Sequence, residues 1–189
     1  MAEFVLYTGP MFSSKTTRLL SRIDRCKYQK KKVISLKPTC DKRYTVEDQI
    51  VTHNDLHLNC YTVETGDDVL DIVTSLQDDA DAVAIDEIFM LPGAGSACIE
   101  LFKKGYDVYV SSIELSFSGQ PFDEVTKIMP YCTQIIKCSA VCAVCQKDAR
   151  YTYKKIESHN EKNQKSEIHV GGKEIYEPRC QLHHKYMRC

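Results

Sequence analysis

Residues 9–17 read GPMFSSKTT. A phosphate-binding loop follows the pattern G-x-x-x-x-G-K-[ST], and Gly9, Lys15 and Thr16 satisfy it, with Ser14 standing where the second glycine belongs. A short apolar run, EFVLYT at 3–8, precedes the stretch, and a helical spacing over 15–30 follows it, with Leu19, Leu20, Ile23 and Cys26 on one face. Strand, loop, helix is the context the motif requires. There, successive backbone N–H groups wrap an anionic phosphate, the lysine adds a point charge at the β/γ-phosphates, and the Thr16 hydroxyl suits a Mg²⁺ ion. Glycine is favoured where backbone approaches a ligand or needs positive φ, so Ser14 weakens the match. On this stretch alone, a phosphate loop and an ordinary strand–turn–helix stand level. A Ser14 already entering the helix at negative φ would leave the loop amides in place.

A second stretch shifts the balance. AVAIDE, 82–87, is an apolar strand ending in Asp86 and Glu87. In phosphate-loop enzymes an aspartate at such a strand end lies beside the Mg²⁺ site, and a neighbouring carboxylate can act as base or orient the nucleophile. A strand that simply ends in solvated acids is the plainer alternative, but the order and spacing of the two motifs speak against it.

Around these stretches the chain alternates strand and helix. Strands are predicted at 3–8, 33–36, 82–85, 107–112 and 134–138. Helices are predicted at 67–76, 93–104 and 121–129, the last with Pro121 at its first position. Residues 39–62 show no period and read as an irregular polar connection. The alternation predicts an α/β fold of the phosphate-loop NTPase kind, a mostly parallel sheet with helices on both faces. Near residue 140 the character changes to paired cysteines and lysines without helical period. We place a domain boundary there: an α/β domain over 1–139 and a small tail over 140–189, too polar to form a core alone and in need of a staple.

That tail supplies one. Cys142-Ala-Val-Cys145 is a C-x₂-C pair and Cys180-Gln-Leu-His183 a C-x₂-H pair, together a tetrahedral structural Zn²⁺ shell with no open position. His184 competes with His183 for the fourth place. The other cysteines have no such pairing, and Cys138 reads as a core residue.

Composition limits the rest. The chain has 189 residues, 43% hydrophobic and 27% charged, with a net charge of -1, which argues against broad electrostatic binding to nucleic acid. The basic run RCKYQKKK, 25–32, reads as a solvated helix end. No stretch approaches the ~20 apolar residues of a membrane span. The N-terminus, MAEFVLYTGP, lacks a basic region and runs straight into the motif, so no signal peptide is expected. A cytoplasmic setting with reduced thiols follows as the expectation.

The order GPMFSSKTT, DKRY (41–44) with TH at 52–53, AIDE, SFSGQPF (116–122), AVCAVC and GGKEIYEPRC resembles the type II thymidine kinases, the zinc-containing, tetrameric family, from about residue 4 to about residue 183. The resemblance implies ATP- and Mg²⁺-dependent phosphorylation of the thymidine 5′-hydroxyl in deoxynucleoside salvage, with deoxyuridine a second substrate and dTTP a feedback inhibitor. It implies a homotetramer. The family's phosphate loop maps onto Gly9, Pro10, Met11, Phe12, Ser13, Ser14, Lys15 and Thr16. Its catalytic glutamate, acceptor of the 5′-hydroxyl proton, maps onto Glu87, and its metal-side aspartate onto Asp86, beside Thr16. Asp41 and Arg43 match a pair lining the sugar and transfer region. Phe117 matches an aromatic stacking on the base, and Met11, Ile113 and Thr152 match pocket positions around it. A loop from the zinc-bearing tail, the lasso, maps onto Glu167, Ile168, His169, Val170 and Gly171, followed by Tyr176.

The chain departs from the family pattern at Ser14, at Met90 near an aromatic position, at Ile113-Glu114 where Leu-Asp is common, and at Lys154 where an arginine is common. Two other readings stay open: a catalytically impaired homologue that binds nucleotide, and a zinc-ribbon nucleic-acid binder, which the near-neutral charge disfavours.

Overall fold

The computed structural model describes residues 1–41, 49–51, 57–76, 80–155 and 171–187. Its centre is a six-stranded sheet built from β1 (Phe4–Thr8), β2 (Val33–Pro38), β5 (Tyr61–Val63), β6 (Ala82–Asp86), β7 (Asp107–Ser112) and β8 (Gln134–Lys137). The order across the sheet is β5-β2-β6-β7-β1-β8, and every neighbouring pair is parallel. The inner strands are buried on both faces, which is why they read as unbroken apolar runs rather than alternating ones.

Alternate residues of each strand feed two cores. On one face Val5, Tyr7, Ala82, Ala84 and Tyr109 meet Leu19, Leu20, Ile23 and Cys26 of helix α1 (Lys15–Tyr28). On the other, Phe4, Leu6, Ile34, Leu36, Val83, Ile85, Val108 and Val110 pack under α2 (Gly66–Ser75), α3 (Ala94–Lys103) and α4 (Asp123–Ile128). The expected α/β architecture with helices on both faces is what forms. Helix α2 starts where the sequence supplies a capping box: the Thr65 hydroxyl accepts from Asp68 N–H, and the Asp68 carboxylate accepts from Thr65 N–H. The basic run spans the last turn of α1 and the residues after it, mostly exposed, with Cys26 alone fully buried.

Two expectations fail. Residues 39–62 are not wholly irregular: β3 (Gln49–Val51) and β4 (His57–Asn59) pair as an antiparallel ribbon, and β5 joins the sheet edge beside β2. Pro121 is not the first residue of a helix. It bridges Leu115, and α4 begins at Asp123, because Phe122 N–H is drawn to the Glu114 carbonyl at 3.0 Å.

The tail adds two small antiparallel ribbons, β9 (Ala140–Val141) with β10 (Asp148–Ala149) and β11 (Tyr151–Lys154) with β12 (Tyr176–Arg179). Among the described residues, the buried cluster under its first ribbon is Ala140, Cys142 and Ala149, with Cys145 and Cys180 against it. Tyr176 instead joins the main core beside Met11 and Ile113. Among the described residues no helix is long and apolar enough to cross a membrane.

Candidate active site

The candidate side chains gather at the C-terminal ends of β1, β6 and β7, where open α/β sheets bind their ligands. Gly9 leaves β1 at φ 145, and a Cβ there would lie 2.2 Å from the Cys138 carbonyl oxygen, so only glycine lets the loop pass so close to the neighbouring backbone. The loop then ties itself together. Ser13 Oγ donates to the Pro10 carbonyl at 2.8 Å, and Lys15 Nζ, buried, donates to the same oxygen at 2.9 Å.

Ser14 does not enter the helix at negative φ. Its backbone is left-handed, φ 60 and ψ 28, at the N-cap of α1, and its side chain makes no capping bond. Phe12 is left-handed too, at φ 66, while Ser13 between them is not. Alternating hands turn successive N–H groups to one side, the nest geometry that receives anions. The physical reason for the correction is thus in the loop itself: the concave amide surface needs the left-handed residue that glycine usually provides.

The second motif meets the first. Thr16 Oγ1 donates to Asp86, 3.1 Å from Oδ2 and 3.3 Å from Oδ1. Ser111, fully buried at the end of β7, donates to Asp86 Oδ1. A hydroxyl and a carboxylate facing one spot form a hard oxygen donor set of the kind Mg²⁺ takes. Glu87 follows at the strand end in a left-handed conformation, φ 53 and ψ 49, its N–H held by the Ser111 carbonyl at 2.7 Å. It is buried, 4% exposed. Ser111 carried no motif. Two small hydroxyl residues closing a buried strand beside an acidic one were the available signal.

The candidate pocket residues are shared between the main core and the tail. Met11, Ile113 and Tyr176 are buried in the main core cluster, with Phe117 half-buried against it and Lys154 Nζ 5.1 Å from the Phe117 ring centre. Thr152 is buried and its hydroxyl accepts from Met11 N–H at 3.0 Å, so β11 of the tail touches the phosphate loop directly. Met90 is buried, with the Cys40 sulfur 3.9 Å from its own. Asp41 is half-buried, its N–H on the Pro38 carbonyl. Arg43 and the lasso positions Glu167, Ile168, His169 and Val170 lie outside the described residues; Gly171 lies within them, close to Ile175.

In the tail, the ligand atoms of Cys142, Cys145, Cys180 and His183 all lie within 4.8 Å of one another. Cys145 and Cys180 sulfurs are 3.7 Å apart, close to the edge of a tetrahedron with Zn–S arms of about 2.3 Å. His183 Nδ1 faces Cys180 at 3.1 Å and Cys142 at 3.8 Å. Burial works against the Cys142 thiolate, yet N–H groups of Cys180, Cys145 and Val144 aim at its sulfur, and it is held down at about 6. Cys145 gains from the Lys147 N–H but is pushed up on balance by burial and by the neighbouring Cys142 and Cys180 sulfurs. One thiolate resists the next until a cation neutralises them, so the cluster is compatible with a structural zinc. His184 is not a member. It is buried elsewhere and held by Thr152 and Tyr186. None of the described cysteines forms a disulfide, and Cys138 is a core residue as expected.

Comparison with known proteins agrees with these motifs. A family model described as "Thymidine kinase" matches residues 2–184. A thymidine kinase of Pyrobaculum aerophilum is 31% identical over 180 residues, 95% of this chain and 97% of its own. One from Thermococcus kodakarensis is 34% identical, over 94% of this chain and 91% of its own, and one from the Aster yellows witches'-broom phytoplasma is 33% identical over 93% and 83%. A phosphate loop joined to a strand-end carboxylate, a Cys₃His cluster and a match of this extent lead to one conclusion: the chain belongs to the thymidine kinase family.

Proposed function

We propose that the protein transfers the γ-phosphoryl group of ATP to the 5′-hydroxyl of thymidine, giving ADP and dTMP, and that deoxyuridine is a second substrate. The observation that carries the reading is the Thr16–Asp86 hydrogen bond, which brings the phosphate loop and the strand-end carboxylates to one point. The loop amides of Gly9, Pro10, Met11, Phe12, Ser13 and Ser14 cradle the triphosphate, and Lys15 swings from the Pro10 carbonyl to the β/γ-phosphates. Thr16 and Asp86 would hold Mg²⁺, which supplies neutralisation of the developing phosphate charge when bound. Glu87 accepts the proton of the 5′-hydroxyl as its oxygen attacks in line. Its burial in a fixed backbone conformation orients the base before substrate arrives. Asp41 and Arg43 line the transfer region. Phe117 stacks on the base, Met11, Ile113, Thr152 and Tyr176 wall the pocket, and the lasso, Glu167, Ile168, His169, Val170 and Gly171, holds the base through its backbone.

We further infer an α/β unit over 1–139 and a zinc-stapled unit over 140–189, a homotetramer, inhibition by dTTP as an end product of the same salvage route, and a cytosolic setting, in keeping with described cysteines that form no disulfide. The test is product analysis with purified protein, ATP and Mg²⁺ across thymidine, deoxyuridine and deoxycytidine. Formation of dTMP supports the proposal, and a protein inert towards all three nucleosides removes it. The strained Ser14 favours one second reading, an impaired homologue that binds nucleotide, for which ATP would bind without turnover.

A further inference from the structure

Between the cysteine cluster and the phosphate loop runs a buried chain of hydrogen bonds that no motif accounts for. His184 is fully buried. Its Nε2 lies 2.9 Å from the Thr152 carbonyl oxygen, and its Nδ1 receives Tyr186 N–H at 3.3 Å. A carbonyl only accepts and an amide N–H only donates, so the proton is on Nε2. Tyr151, Tyr153 and Tyr186 surround the ring, with centroids 5.7, 5.7 and 6.2 Å away. Thr152 then reaches the other way, its hydroxyl accepting Met11 N–H at 3.0 Å. A second contact leads in the same direction. Met187 lies over Gly119, where a Cβ would come within 2.3 Å of the methionine methyl, and Gly119 belongs to the loop that carries Phe117.

We propose that His184 is a positioning residue: it fixes the Thr152 backbone, and through the Thr152 hydroxyl it fixes the Met11 amide, so that the turn carrying Cys180 and His183 sets the shape of the phosphate loop where it meets the nucleoside. The nucleoside part of this statement rests on the kinase reading above. The positioning part does not. The histidine supplies a directed N–H that a purely packed ring would lack, and the buried Thr152 hydroxyl converts that direction into a constraint on the loop. Removing the donor frees Thr152 to move with β11, and the Met11 N–H loses its fixed acceptor.

The experiment compares wild type, His184→Phe, which keeps a ring among the tyrosines without the N–H, and His184→Gln, whose amide reaches as Nε2 does. Zinc content, thermal midpoint, thymidine KM and kcat, and hydrogen exchange at the Met11 amide after selective ¹⁵N-methionine labelling are read together. Wild type and both variants are expected to hold one zinc per chain. In His184→Phe, Met11 exchange should quicken about tenfold, the scale of one net hydrogen bond, and thymidine KM should rise by a similar factor, while His184→Gln stays within about threefold of wild type. Unchanged Met11 exchange in His184→Phe overturns the proposal. So does equal impairment of both variants in step with their midpoints, which is the signature of packing alone. Should His184→Phe misfold or lose zinc, Thr152→Val decides: it removes the hydroxyl and leaves His184 in place, and unchanged Met11 exchange there also overturns the proposal. If no variant, wild type included, phosphorylates thymidine, the kinase reading has failed, and the exchange measurement still decides the positioning role.

Discussion

Replacing Ser14 by glycine should stabilise the protein and leave its activity nearly unchanged. Ser14 sits at φ 60, ψ 28, and its side chain is exposed without a capping bond, so nothing in the folded loop depends on its hydroxyl. A left-handed L-residue costs about 1–2 kcal/mol, which glycine avoids. Glycine gives back roughly 0.4–1 kcal/mol through the larger freedom of its unfolded chain. The net gain is therefore about 0–1.6 kcal/mol, centred on about 0.8 kcal/mol. At roughly 2–4 °C per kcal/mol for a chain of this size, the central value raises the thermal midpoint by about 2–3 °C. Ser14→Ala keeps the strain and should not rise; Ser14→Val adds branching where positive φ tolerates it least and should fall. Because the loop already holds the left-handed geometry, Ser14→Gly should change kcat/KM by less than about tenfold, equivalent to 1.4 kcal/mol in the barrier. Differential scanning calorimetry and steady-state kinetics on the three variants read both effects. A lower midpoint for Ser14→Gly would refute the strain argument. An inactive wild type rescued by Ser14→Gly would show that the serine disables the loop.

Glu87→Gln should keep fold and ATP binding but lose about 10²–10⁴-fold in kcat, the range of a positioned base; retention of a third of the rate would exclude that role. Lys15→Ala should abolish ATP-dependent turnover, and, because the Lys15 amine also bonds the Pro10 carbonyl, the thermal midpoint should fall; full activity in the variant would remove Lys15 from phosphate binding. Cys142→Ser, or prolonged chelation, should release one zinc per chain by atomic absorption and raise thymidine KM; freshly purified protein without zinc would end the structural-metal reading. Gly9→Ala should lose ATP binding and several kcal/mol of stability, because its Cβ has no room beside the Cys138 carbonyl oxygen; a soluble, stable variant by calorimetry would contradict this.

What the sequence made legible was whatever burial or spacing repeats. Inner strands such as AVAID are buried on both faces, so the run before the strand-end Asp86 is entirely apolar and plain to read. Leu19, Leu20, Ile23 and Cys26 repeat because α1 has a single buried face. β5 escaped because it is three residues long at the sheet edge, with only Val63 buried. A strand that buries one side chain carries no period. Pro121 misled because its preference for a helix start is weak beside a bridge to Leu115 and the Phe122–Glu114 bond. Spacing admitted either His183 or His184 as the metal ligand. Burial of His184 among tyrosines, a tertiary fact, separates them.

The φ of Ser14 could not be read locally either, and the reason joins the two ends of the chain. Phe12 and Ser14 are both left-handed, each at a cost of about 1–2 kcal/mol, and such residues persist only where their surroundings over-determine them. The surroundings here are the Ser13 and Lys15 bonds to the Pro10 carbonyl, the close passage of Gly9 under Cys138, and the Met11 N–H on Thr152. The first three belong to the loop and its neighbouring strand. The fourth comes from the tail, where the Thr152 carbonyl is in turn bonded by His184, next to His183 of the Cys₃His cluster. A glycine at 14 would lessen the need for that outside hold, whereas serine makes the loop's shape depend on it. The degenerate motif and the metal cluster are then two parts of one arrangement, with strain at residue 14 balanced by anchorage that arrives from residues 152 and 184.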